Sequence, residues 1–101
     1  MAFPATLRAA LEELLGGPLI RASEVYGGDI NRAAQVETAD GRCFVKWNDS
    51  APPNMFSTEA EGLRRLAAAD ALRVPGVIAQ GKADGGPDFL VLEWIETGSK
   101  Y

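Results

Sequence analysis

Histidine is absent from this chain, and cysteine occurs once, as Cys43. Without histidine, Ser-His and Cys-His catalysis and most zinc sites are excluded. A single thiol excludes an intrachain disulfide. No apolar run approaches the length of a membrane span. Nor do the first residues form a basic-then-apolar leader, since Arg8, Glu12 and Glu13 interrupt it. A reducing cytoplasm with no membrane partner is therefore expected. Basic charge is also short: the net charge is −4, which argues against a general nucleic-acid binder, because such proteins need a basic face to displace counterions. Lysine occurs only as Lys46, Lys82 and Lys100, so any lysine inside an apolar segment stands out.

What is present suits one small domain. A chain of 101 residues, 47% of them hydrophobic and 24% charged, has ordinary soluble composition. It buries only about 60–65% of its unfolded surface, so its core is modest. Pro4 to Leu15 reads as a helix, with Leu7, Leu11 and Leu14 on one face and Gly16-Gly17-Pro18 as its stop. Three hairpin signals follow. Leu19–Tyr26 and Ile30–Thr38 flank Gly27-Gly28-Asp29; Val36–Thr38 and Arg42–Trp47 flank Asp40-Gly41; Val77–Lys82 and Phe89–Trp94 flank Asp84 to Pro87. A helix from roughly Asn54 to Ala69 lies between the second and third, with either Asn54 as N-cap or Thr58 and Glu61 as a capping box. The order helix, three strands, helix, two strands predicts an α+β fold with an antiparallel sheet.

The candidate chemistry centres on Lys46, in the apolar run Phe44-Val45-Lys46-Trp47-Asn48. An ammonium within such a strand needs a partner if it is buried. On a helical wheel of about 100° per residue, Glu59 falls about 40° from Met55, within a stripe shared with Phe56, Leu63 and Leu66. Lys46 is its natural cation. Two plainer readings compete: an edge-strand lysine with its head in water, and a half-solvated glutamate at the margin of the stripe. In Gly27-Gly28-Asp29-Ile30-Asn31 the two glycines, without Cβ atoms, let the backbone approach a phosphate and offer N–H groups, although by itself the segment reads as an ordinary hairpin turn. Val91 to Ile95 reads as a buried strand running into a loop.

Taken in order, Gly27 to Arg32, Phe44 to Asn48, Met55 to Leu63, Arg73-Val74-Pro75 and Val91 to Trp94 resemble the N-terminal lobe of the fructosamine-3-kinase (ketosamine-3-kinase) family. That family belongs with the aminoglycoside phosphotransferases and choline kinases among protein-kinase-like folds. The resemblance implies a five-stranded antiparallel sheet with an N-terminal helix and one helix between strands 3 and 4. It implies that Lys46 binds the α- and β-phosphates of ATP and that Glu59 pairs with it. Gly27, Gly28, Asp29, Ile30 and Asn31 would cover the phosphates. Leu92 would be the gatekeeper, and the Glu93 carbonyl and Ile95 amide would meet adenine. The implied activity is transfer of the ATP γ-phosphate to the sugar 3-hydroxyl of ketoamine adducts on amines or protein lysines, after which the adduct decomposes.

The resemblance also sets limits. Some relatives carry a cysteine in the glycine turn, where this chain has Asp29, and Cys43 lies in the next strand, so no redox switch is carried over. Residues 1–101 are expected to be the ATP-binding lobe alone. The catalytic aspartate and the ligands for Mg2+ are expected in a C-terminal lobe outside this chain, which by itself should transfer no phosphate. Two other readings remain open on the sequence. One is the lobe of an aminoglycoside, choline or homoserine kinase. The other is a self-associating interaction module with an exposed sheet underside formed by Ala33, Phe44, Leu92 and Ile95.

Overall fold

A computed structural model describes residues 3–25, 31–50, 54–69 and 74–94. Seven elements run in the order α1 (Ala5–Leu15), β1 (Arg21–Val25), β2 (Arg32–Thr38), β3 (Gly41–Asn48), α2 (Met55–Ala69), β4 (Val77–Lys82) and β5 (Asp88–Glu93). The strands form one antiparallel sheet in the order β1-β2-β3-β5-β4. The α+β architecture expected from the sequence is therefore present, with one helix before the sheet and one between β3 and β4.

Strand alternation divides the core into two layers. Ala34 and Val36 of β2, Val45 and Trp47 of β3, and Phe89 and Val91 of β5 face α1, where they meet Leu7 and Leu11. Ala33, Phe44, Leu90 and Leu92 face the other way and pack on Phe56 and Ala60 of α2. Leu7 and Leu11 are fully buried, each contributing roughly 2–3 kcal/mol by removal from water. Helix α1 starts where Pro4, which has no N–H to satisfy, accepts the Arg8 amide at 2.9 Å. It ends at Gly16, whose φ of 80° lets its N–H and that of Gly17 return to the Glu12 carbonyl.

Several boundaries differ from expectation. The β2–β3 turn is Ala39-Asp40, with Gly41 already paired to Thr38. Gly41 has a φ of 132°, so glycine serves the strand entry and not the tip. Helix α2 begins at Met55, and the Asn54 carbonyl accepts the Thr58 N–H at 2.9 Å. Thr58 thus lies inside the first turn, which rules out the Thr58–Glu61 capping box. Leu66, assigned to the apolar stripe, is 42% exposed, and the buried residues of α2 are Phe56 and Ala60 in its first half.

The expected exposed underside is also corrected. Ala33 and Phe44 are 9% and Leu92 1% exposed, because α2 and the partly buried Met55, Leu63 and Trp94 cover them. Ile95 lies outside the described residues. Ala33, Phe44 and Leu92 are therefore core and not an exposed surface.

Candidate functional site

Lys46 sits on β3, the central strand of the five, on the α2 side between Phe44 and Asn48. Its neighbours across the sheet are Ala33 on β2 and Leu90 on β5. This placement overturns the edge-strand alternative: the residue is 7% exposed, the one buried charged residue among those described. Its Nζ donates to Glu59 Oε2 at 2.9 Å. Glu59 reaches it because Phe56 and Ala60, one turn apart on α2, are buried against the sheet and turn that face of the helix inward. The Glu59 side chain keeps 33% exposure against 9% for that of Lys46. The cation is buried while the anion reaches solvent, so the pair is screened less than a surface bridge yet is not sealed from water.

The other expected site residues divide. Asn31 lies just before β2, and its Oδ1 accepts the Asn48 Nδ2 at 2.8 Å, two residues beyond Lys46 on the same strand face. Asn48 in turn accepts the Ser50 N–H at 2.7 Å. Leu92 is opposite Phe44 and faces α2, in one cluster with Phe56 and Ala60. Glu93 donates its N–H to the Gly76 carbonyl at 2.8 Å and accepts the Gly76 N–H at 3.1 Å through its carboxylate, so both groups turn toward the start of β4. Gly27, Gly28, Asp29, Ile30 and Ile95 lie outside the described residues.

Three features escaped the reading of the sequence. Asn48 ties Asn31 to the lysine strand. Trp94 packs its ring on Phe44, with centroids 6.1 Å apart. On the opposite face, Arg32 joins Glu24 through two contacts and lies over Trp47. None of these pairs has a local sequence signal, because each depends on strand register. Cys43 faces the α1 layer, buried, and desolvation pushes its thiol upward from the ordinary value. A buried thiol with raised pKa is a poor nucleophile.

A buried lysine on the third strand, paired to a carboxylate on the following helix, holds its ammonium in a fixed place. The comparison with known proteins decides the lineage. The fructosamine kinase family pattern matches residues 5–101. The chain belongs to the fructosamine kinase family. A probable ketoamine kinase of Synechocystis is 40% identical over 74 residues, covering 73% of this chain and 25% of that protein. A chloroplastic protein-ribulosamine 3-kinase of Oryza sativa is 38% identical over 76 residues, covering 75% of this chain and 22% of that protein. A crystal structure of a candidate fructosamine-3-kinase of Haemophilus somnus superposes with a TM-score of 0.75 at 27% identity, over 94% of this chain and 32% of that one. The chain thus spans about a quarter of the length of the curated relatives it matches. In this member of the fructosamine kinase family, the Lys46–Glu59 pair joins β3 to α2 across 2.9 Å.

Proposed function

We propose that this chain is the ATP-binding lobe of a ketosamine 3-kinase, which phosphorylates the sugar 3-hydroxyl of glycated amines or protein lysines. The observation that carries the reading is the 2.9 Å pair between buried Lys46 and Glu59. A carboxylate that grips a lysine ammonium from the helix side fixes its aim, and in a kinase-type site that aim is toward phosphate oxygens. ATP would supply the transferred phosphoryl group. Lys46 would hold the α- and β-phosphates, and the Phe44 and Leu92 side of the sheet would border the base. The Glu93 carbonyl, the Ile95 amide and residues Gly27 to Asn31 belong to the same proposal. So do a C-terminal lobe that carries the catalytic aspartate and the Mg2+ ligands, and a cytoplasmic site of action.

The test is phosphotransfer from ATP to a fructosamine or ribulosamine adduct by the whole protein that carries this chain. Activity on these adducts, with Lys46→Ala lowering kcat/KM about a hundredfold or more, is the expected result. Activity on an aminoglycoside or choline instead would overturn the substrate, and ATP binding indifferent to Lys46→Ala would overturn the site.

A further inference from the structure

On the face of the sheet opposite Lys46, one side chain joins three strands. Arg32, the first residue of β2, places Nε 3.0 Å from Glu24 Oε2 and Nη2 3.0 Å from Glu24 Oε1. Glu24 lies near the end of β1, so this two-point bridge closes the strand pair at the end from which residues 26–30 depart. Such a fork has fixed geometry, unlike a single-point contact. The Arg32 guanidinium carbon also stands 5.2 Å from the centre of the Trp47 ring, directly across the β2–β3 register, within the range of a cation–π contact. Trp47 is 1% exposed. Its ring is met edge-on by Phe3 at 5.0 Å, and its Nε1 has no hydrogen-bond partner among the described residues. Ring contacts, not a hydrogen bond, therefore orient it. Trp47 is the chain neighbour of Lys46. On the site face the same segment is tied again, by Asn31 to Asn48.

We infer that Arg32 is a positioning residue for nucleotide binding: by bridging to Glu24 and capping Trp47 it fixes the β1–β2 pair against the part of β3 that aims Lys46. Neither Arg32 nor Trp47 touches the nucleotide in this scheme; both act through Lys46. The Arg32 guanidinium holds the Glu24 carboxyl below the ordinary range, so the bridge stays ionised at neutral pH. The inference rests on the kinase reading above.

The experiment compares wild type, Arg32→Ala, Arg32→Lys and Glu24→Gln in the whole protein. It measures KM for ATP, kcat, the Kd for ADP by calorimetry, and Tm. Arg32→Ala should raise KM and Kd about tenfold and leave kcat within about twofold. Arg32→Lys keeps the charge but loses the fork and the flat stacking surface, and should recover only part of the loss. Glu24→Gln, nearly isosteric, keeps the test alive should Arg32→Ala fail to fold, and should raise KM about threefold. Gly85→Ala, in the β4–β5 turn at a φ of 70°, strains the backbone and lowers Tm without touching Glu24, Arg32 or Trp47, and should leave KM unchanged. Unaltered KM and Kd in Arg32→Ala, or an equal rise in Gly85→Ala, would overturn the inference while the kinase reading stands. A wild-type protein that neither binds ADP nor uses ATP would overturn the kinase reading, and this inference with it.

Discussion

At the scale of single residues, the Lys46–Glu59 pair is unequal, and its two halves should not cost the same to remove. The Lys46 side chain is 9% and the Glu59 side chain 33% exposed. Glu59→Ala takes the carboxylate from a buried ammonium, which is expensive without compensation. Lys46→Met fills the same space with an apolar chain and leaves a carboxylate that water can reach. Urea unfolding should show Glu59→Ala destabilised by about 2–3 kcal/mol and Lys46→Met by under about 1 kcal/mol. Equal losses would mean that the burial difference has no energetic weight. The pair was legible beforehand because its signals are local: a charge inside an apolar strand, and a charge inside an apolar helical stripe. The Glu24–Arg32–Trp47 group was not, because an exposed-looking glutamate and arginine in neighbouring strands meet only once the register is set.

At the scale of elements, α1 depends on one close approach that hydropathy does not reveal. Gly86, in the β4–β5 turn, lies against Thr6 in the first turn of α1. A Cβ at Gly86 would come within 2.8 Å of Thr6 Cβ and 3.2 Å of Ala83 Cβ, and closer still to Thr6 Oγ1. Thr6 is on a helix and cannot simply swing aside, so Gly86→Ala should shift α1 and cost about 1–3 kcal/mol. Thermal unfolding measures this, and the double variant Thr6→Ala, Gly86→Ala should recover part of the loss. Gly85, by contrast, is glycine for its backbone, with a φ of 70° and nothing near its absent side chain. The turn as a whole was readable from Asp84-Gly85-Gly86-Pro87. Which glycine serves the turn and which serves the helix was not, since only docking of α1 separates them.

At the scale of the whole molecule, two layers share one sheet, and each contains a tryptophan. Trp47 is buried in the α1 layer, and Trp94 packs on the α2 layer. Among the described residues both layers are built on the same five-stranded sheet, so the sheet couples them and unfolding of this chain should be all-or-none. In Trp94→Phe the remaining fluorescence reports the α1 layer, and in Trp47→Phe it reports the α2 layer. In each variant the fluorescence transition in urea should coincide with that of far-UV circular dichroism. Separate midpoints within one variant would show that a layer melts independently.

The sequence by itself determined the element order, the two amphipathic helices, the alternation that sends Val45 and Trp47 one way and Phe44 and Lys46 the other, and the family resemblance. These follow from periodicity and turn chemistry, which act over a few residues. Only the tertiary structure decided that β3 is central, that β5 inserts beside it ahead of β4, and that α2 covers Ala33, Phe44 and Leu92. The same placement buries the Lys46 ammonium and brings Glu59 to it, thirteen residues along the chain and 2.9 Å away. Strand order and helix docking are set by long-range burial, which no short stretch of chain encodes alone.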